Sequence, residues 1–440
     1  MRRLIITMLC VAAAYTANAQ SIAEITNDSR LHEMEPDYGF FYGIPECDSI
    51  KSCLDRVIAF VDKTMPAKTE ADGKKLSMGG FRMSSYEMGV LYSAAIDAAG
   101  VTGDRRYSDF VKDRLKLMAE LVPVVLPEIR KDRLYDQQMR MVADPHSLDE
   151  AGAMCAAYCR LAMIMPGSSY TGVIRTYMSR INKTYRMGTD RIIARNRPYA
   201  NSLWLDDMYM GIVPLAWYGC LKHDCESLRE AVRQVMLFKK YMWLENKKLF
   251  RHGWVEDMNP HPAFAWGRAN GWAILTMCQV LDAITVMEND TKNQQDWKDD
   301  KAIVTDLLSE HLDGLVAMQH PTGFWHQLLD EGDTYLETSA TAIYAYCLAH
   351  AICEGWVDAK TYGPRAILAW NAVSRKINQC GEVEDVCIGT GMGFDKAFYS
   401  YRPTHVLAAH GYGPVIWAGS EIIRLIRQCK PRMHDSAILF

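Results

Sequence analysis

YEMGVLYSAAIDAAGVTGDRR, residues 86–106, holds a helix, a glycine-bounded turn and the start of the next helix. Over Tyr86–Ala99 apolar residues recur three and four positions apart, the period of one buried helix face. Ala, Leu and Met predominate and favour helix. Gly100-Val-Thr-Gly103 interrupts the pattern, and a new helix begins near Arg106. The unit recurs. Thr341–Glu354 runs into Gly355-Trp-Val-Asp358, with another helix around Gly363, and Pro214–Gly219 runs into Cys220–Cys225, with a helix from Ser227. Asp149–Met165, Ser227–Trp243, Asn270–Met287, Ala302–Met318 and Thr338–Ile352 carry the same period. β-branched alternation is scarce, so few strands are expected. About a dozen helices in such hairpins point to an all-α toroid; an open solenoid would show a clearer fixed repeat.

Outward from this core, the first residues read as an export leader. Arg2 and Arg3 precede an apolar stretch, Leu4 to Ala14, that is too short to span a bilayer. Ala17-Asn18-Ala19 fits a cleavage site, so residues 1–19 are expected to be a signal peptide and 20–440 a single domain. Cys10 lies inside the apolar run behind Leu9, a poor lipid-attachment context, so no membrane anchor is expected. The expected location is the periplasm. No linker or low-complexity tract divides the chain. The net charge of −4, more negative still without the two leader arginines, disfavours nucleic acid as a partner. The thirteen cysteines show no metal-ligand spacing. Cys47/Cys53, Cys220/Cys225 and Cys380/Cys387 are close enough in sequence to pair. Cys155, Cys159, Cys278 and Cys347 fit buried thiols, and most are expected to be free.

Four segments place polar and aromatic residues inside apolar helices. His146-Ser-Leu-Asp149-Glu150-Ala-Gly152 contains an acid in a first helical turn; Ser147 and Glu150 also fit a plain capping box. Tyr199-Ala-Asn201-Ser-Leu-Trp204-Leu-Asp206-Asp207-Met-Tyr209-Met210 puts two adjacent acids in an apolar run. Ionised carboxylates are costly there, and apolar surroundings raise a carboxyl pKa, as a general acid requires. His252-Gly-Trp254 and Ala265-Trp266-Gly-Arg268-Ala-Asn270-Gly271-Trp272 read as a sugar-binding rim, with indoles to stack on pyranose faces and a guanidinium for a carboxylate. Gln319-His320-Pro-Thr-Gly323-Phe-Trp325-His326-Gln327, followed by Tyr335-Leu-Glu337-Thr338-Ser339-Ala340, reads as a glycine-turned loop and a helix start that Glu337 could cap.

In this order the segments resemble the unsaturated rhamnogalacturonyl hydrolases, glycoside hydrolase family 105. The matching stretches are Trp204–Met210, His252–Trp254, Trp266–Trp272, Gly323–Gln327, Tyr335–Ala340 and Gly389-Thr-Gly391-Met-Gly393, and the resemblance covers residues 80–425. It implies an (α/α)6 barrel, with Asp206 as general acid/base and Asp149 as the second carboxylate. It implies that His252, Trp266 and Arg268 line the sugar subsite, Arg268 facing the uronate carboxylate. Trp272, Tyr209, Trp325 and His326 complete the expected binding set. No metal or organic cofactor is implied. One departure stands out. Where the family often has Asn-Asp before its last glycine cluster, this chain has Ala408-Ala409, with His405, His410 and Tyr412 nearby.

The implied partner is an oligosaccharide ending in a 4,5-unsaturated uronic acid, galacturonyl or glucuronyl. Its C4=C5 bond is an enol ether. Protonation at C4 puts positive charge on C5 and the ring oxygen, and water then adds at C5. One group must first give and later take a proton. Two other readings stay open: an inverting glycosidase using Asp149 and Asp206 at the anomeric carbon, and a non-catalytic glycan-binding protein of the envelope.

Overall fold

Side-chain caps set where several helices begin. Asp104 accepts from the Arg106 amide, Asp224 from Glu226 and Ser227, and Asp358 from Thr361. The second helix of each predicted hairpin therefore starts slightly earlier than hydrophobic period alone suggested. The largest gap is at Gly363, where Asp358 opens the helix ahead of Gly363-Pro364. The computed structural model describes residues 42–132, 135–291 and 295–440. The leader expected at residues 1–19 lies outside the described residues.

In chain order the helices are α1 (Cys47–Thr64), α2 (Tyr86–Thr102), α3 (Arg105–Lys131), α4 (Gln137–Ala143), α5 (Leu148–Ile164), α6 (Ser168–Asn182) and α7 (Val213–Lys222). They continue as α8 (Cys225–Met242), α9 (Gly267–Glu288), α10 (Lys298–Ala317), α11 (Thr338–Cys353), α12 (Ala359–Ser374), α13 (Lys396–Ser400) and α14 (Tyr412–Cys429). Helix α2 packs on α5, α5 on α7, α7 on α9, α9 on α11, α11 on α14, and α14 back on α2. That closes an inner ring. Helices α3, α6, α8, α10 and α12 each pack on the ring helix just before them, and α1 packs on α14. The result is the six-hairpin toroid that the sequence pattern predicted.

The two layers differ chemically for a physical reason. An outer helix needs one apolar face; α8 buries Leu228, Ala231, Val232, Val235, Phe238 and Met242 at three- and four-residue spacing. A ring helix has neighbours on both flanks and behind, so every residue of α11 is buried. The same burial explains α9, which is long and apolar enough to cross a membrane yet lies mostly inside the toroid wall. The described cysteines are free thiols, with Cys155, Cys159, Cys278 and Cys347 buried.

Among the described residues, strands are confined to two-stranded antiparallel ribbons. They are β1 (Arg186–Met187) with β2 (Ile192–Ile193), and β3 (Ser202–Trp204) with β6 (Gly253–Val255). Further ribbons are β4 (Trp243–Leu244) with β5 (Leu249–Phe250), β7 (Trp325–His326) with β8 (Leu336–Glu337), and β9 (Arg432–His434) with β10 (Ala437–Leu439). The β3–β6 ribbon matters most here. Its register sets Trp204 opposite Gly253, and the Leu205 amide then donates to the His252 carbonyl at 2.9 Å. The chain therefore reaches Asp206 directly beside His252.

Candidate active site

The first acid of the pair, Asp206, follows β3 at the entry to a helical stretch that loosens into a π turn, Met208–Ile212, before α7. Isolated π turns often occur at functional positions. This turn packs tightly on α5. A Cβ on Gly152 would lie 1.9 Å from the Met210 carbonyl oxygen, so only glycine lets the helix carrying Asp149 approach the turn carrying Asp206.

Asp206 is 17% exposed, and its Oδ2 lies 3.0 Å from His252 Nε2. His252 is fully buried, with Nδ1 2.7 Å from the Tyr399 hydroxyl. The Gly393 amide donates to that hydroxyl oxygen at 2.9 Å. The arrangement fixes the tautomer by inference. Tyr399 donates its hydrogen to Nδ1, which leaves the Nε2 hydrogen for Asp206. The expectation of a raised Asp206 pKa is corrected. Burial pushes this carboxyl up, but the His252 hydrogen bond and the Arg195 charge oppose it, and the net shift is downward. Asp206 is therefore ionised near neutral pH.

The second carboxylate, Asp149, stands in the first turn of α5, where a helix N-terminus favours an anion. Beside it the foreseen capping box forms with a twist. Ser147 Oγ accepts from the Glu150 amide, while the Glu150 carboxylate turns back to the His146 amide and to Arg140. Asp149 itself is not a cap. Arg195 Nη2 and Nη1 reach its two oxygens at 2.7 and 3.1 Å, and Arg197 adds a contact at 3.2 Å. The same Arg195 grips Asp207 at 2.7 and 2.8 Å. Asp207 is fully buried, and burial raises its carboxyl against the pull of Arg195. Asp206 and Asp207 thus divide, one toward His252 and the other into an Asp149–Arg195–Asp207 ion triad. Trp204 walls the site, with the guanidinium groups of Arg195 and Arg197 4.6 and 5.5 Å from its ring centre.

Asp149 lines a cavity of about 450 Å³ together with Arg82, Tyr86, Glu87, Gly389, His405 and His410. Ala408 and Ala409 also line it, so the departure from the family pattern falls on the cavity wall. The Tyr86 hydroxyl donates to His410 Nε2 at 2.5 Å. Burial, with help from the Arg268 charge, holds His410 well below the usual imidazole range, and it is neutral.

The expected sugar-binding rim is corrected at most positions. Arg268 is buried, and it donates to the carbonyls of Cys387 and Ile388, each at 2.7 Å, and to Ser339 Oγ at 3.2 Å. A guanidinium so occupied holds the loop beginning at Cys387, spending three hydrogen bonds on the protein itself. Arg402 pins the same loop from the other side, through Gly389 and Thr390. Glu337 caps α11 through the Ala340 amide and receives the Cys387 amide at 2.9 Å. Trp266 is buried, with its ring 4.6 Å from that of His252, so it supports the histidine from behind. Trp272 and Tyr209 are core residues packed on each other at 5.3 Å. Trp325 is buried against Tyr344, its indole donating to the Leu315 carbonyl. His326 is half-buried and bonds to the Thr334 carbonyl within its own hairpin. Aromatic density marked the toroid wall as strongly as it marked the cleft.

Sequence reading missed Arg195, Asp207, Tyr399, Tyr86 and Glu87. Asp207 was visible as a costly acid, but its partner lies across a loop. The others carried no local signal. Among the described residues, no group of three or more His, Cys, Asp or Glu side chains is placed to hold a metal ion.

Comparison with known proteins gives a consistent picture. The family model of Glycosyl Hydrolase Family 88 matches residues 57–426. The unsaturated rhamnogalacturonyl hydrolase YesR of Bacillus subtilis is 25% identical over 227 residues, which cover 51% of this chain and 61% of that protein. An unsaturated 3S-rhamnoglycuronyl hydrolase of Formosa agariphila is 25% identical over 237 residues, 50% of this chain and 58% of that one. The chain therefore spans about three fifths of the length of these curated relatives. Among solved structures, a possible member of the GH105 family from Salmonella enterica superposes with a TM-score of 0.69 at 20% identity, covering 89% of this chain and 96% of that one. The unsaturated glucuronyl hydrolase of Bacillus sp. GL1 superposes with a TM-score of 0.58 at 13% identity, covering 87% and 97%. At such identities the likeness is one of fold.

Proposed function

Because the chain belongs to Glycosyl Hydrolase Family 88, we propose that it removes a terminal 4,5-unsaturated uronic acid from lyase-cut oligosaccharides by hydrating the C4=C5 bond. The observation that carries this reading is a pair of differently held acids, Asp149 on the cavity wall and Asp206 beside His252 on the turn packed against the Asp149 helix. Asp206 is bonded to His252 at 3.0 Å, whereas Asp149 is clasped by Arg195 at 2.7 Å. A cavity of about 450 Å³ fits a small ligand such as one sugar ring.

The chemistry follows from the carboxyl environment. Asp206 begins ionised and must gain a proton. Substrate brings a carboxylate and displaces water, and both favour the neutral acid. Protonated Asp206 then delivers its proton to C4 of the enol ether. The cation that forms at C5 and the ring oxygen takes up water, whose proton returns to a carboxylate. The resulting C5 hemiketal opens, and the anomeric link breaks to release the remaining saccharide. Asp149, fixed by Arg195, positions the water and holds negative charge near the developing cation. With the leader read at residues 1–19, we place this reaction outside the cytoplasm, in the periplasm.

The experiment is incubation with lyase digests of acidic polysaccharides while the absorbance of the conjugated double bond is followed. The wild-type protein consumes the chromophore. Asp206→Asn lowers turnover by roughly 10²–10⁴-fold with an unchanged unfolding midpoint. Release of saccharide with the chromophore intact would instead mean attack at the anomeric carbon, and binding without turnover would mean a glycan-binding protein.

A further inference from the structure

With Arg268 committed to the Cys387 and Ile388 carbonyls, the substrate carboxylate needs another cation, and we infer that Arg82 supplies it. The inference rests on the reading of the site given above and names the residue that makes the site selective for uronates.

The cavity is lined by three carboxyl groups, Glu87, Asp149 and Glu150. Glu150 is neutralised by Arg140 and Asp149 by Arg195. Glu87 lies 3.5 Å from His410, which is uncharged. Burial, assisted by the negative charge of Asp149, pushes the Glu87 carboxyl up. Two of the three wall carboxyls are thus paired and burial favours the neutral form of the third, so a positive group on this wall is left to meet an anionic sugar. Among the cavity-lining residues Arg82 is the one lysine or arginine. Its guanidinium makes no hydrogen bond or ion pair among the described residues, and its side chain is exposed. The other arginines around the site are all occupied: Arg140 by Glu150, Arg195 by two aspartates, Arg402 by the Gly389 loop, and Arg197 by Asp149.

Arg82 also hangs from a fixed backbone. The Gly80 amide donates to the Thr64 carbonyl at 2.9 Å, and the Ser85 amide to the Arg82 carbonyl at 3.1 Å. Phe81 is buried against Tyr412, with ring centres 4.9 Å apart. The Met83 amide is received by Gln138 Oε1 at 2.7 Å, and the Tyr92 hydroxyl donates to the Met83 carbonyl at 2.8 Å. A free guanidinium on a rigid base can meet a carboxylate through two parallel hydrogen bonds with little backbone ordering.

The test compares an unsaturated uronyl oligosaccharide with its neutral methyl ester, and adds a calorimetric titration with free galacturonate and glucuronate. Arg82→Ala raises KM for the acid by roughly ten- to hundredfold while kcat changes little, and the preference for acid over ester disappears. Arg82→Lys restores part of it, and Arg197→Ala keeps it. Loss of uronate binding in Arg82→Ala, even if the wild-type protein consumes no chromophore, upholds the carboxylate site and refutes the hydration reading alone. Unchanged uronate binding and an unchanged acid-to-ester ratio in Arg82→Ala overturn the inference, as does loss of that ratio in Arg197→Ala instead.

Discussion

Replacing Arg195 with methionine removes the one cation shared by Asp149 and Asp207. Asp207 suffers most. It is fully buried, and Arg195 supplies both of its side-chain hydrogen bonds, at 2.7 and 2.8 Å. Breaking a buried pair from one side costs about 3–5 kcal/mol, because the remaining charge is left without a partner. The Asp149 arm adds little, since that side chain is 32% exposed and keeps Arg197. An unfolding entropy near 2.1 cal/mol/K per residue, over roughly 400 residues, makes each kcal/mol worth slightly more than one degree, so the midpoint should fall about 4–6 °C. Scanning calorimetry reads this directly. The loss should depend on pH with a definite sign. Burial already raises the folded-state pKa of Asp207, and loss of Arg195 raises it further. A group raised in this way favours folding while protonated. The penalty is therefore absent below the unfolded carboxyl value of about 4 and grows as pH rises toward the folded value. Adding Asp207→Asn should restore most of the midpoint by removing the orphaned charge. A fall below about 1 °C, or a further fall on adding Asp207→Asn, would refute the triad as the element that holds this turn.

Two further outcomes are expected. His350→Gln should cost about 3–5 kcal/mol near pH 6, because His350 bridges Asp282 at 2.8 Å and Glu421 at 2.9 Å, on three ring helices. Burial opposes its charge, yet the two carboxylates hold it well above the usual imidazole range; its contribution is whole below about pH 6.5 and is lost as pH climbs through the folded value, so denaturation against pH should show the wild-type advantage shrinking upward. Arg268→Ala should lower kcat, raise KM and speed amide exchange across residues 387–391, because the guanidinium holds that loop. A rise in KM alone with unchanged exchange would return Arg268 to the substrate carboxylate.

How much of the site the sequence revealed depended on how far apart the partners lay. Asp206 was visible because an acid in an apolar run is costly wherever it ends up. Asp149 was visible only as one of two plausible acids in a capping segment. Trp266 and Trp272 were read as a sugar rim, and Trp325 and Tyr209 as further binding residues, and all four are buried. Trp272 lies on an inner helix, Trp266 just before it, Tyr209 in the π turn and Trp325 on β7, and at each buried position an aromatic carries the same sequence signature whether it meets substrate or a neighbouring element. Arg268 misled for a related reason. Its residue type suited a carboxylate, but its partners are carbonyls 119 and 120 residues away.

The sequence by itself determined the helices, their hairpin pairing and the closed all-α architecture, because helical period, caps and turns act over a few residues. It also determined that an acid would stand at the end of the Trp204 segment. Tertiary structure alone decided the ionisation of that acid, the clasp of Arg195 on Asp149 and Asp207, and the solitary position of Arg82 in the cavity lining. Those outcomes depend on distances and burial among loops contributed by different hairpins, and electrostatic interaction follows distance and dielectric rather than order along the chain.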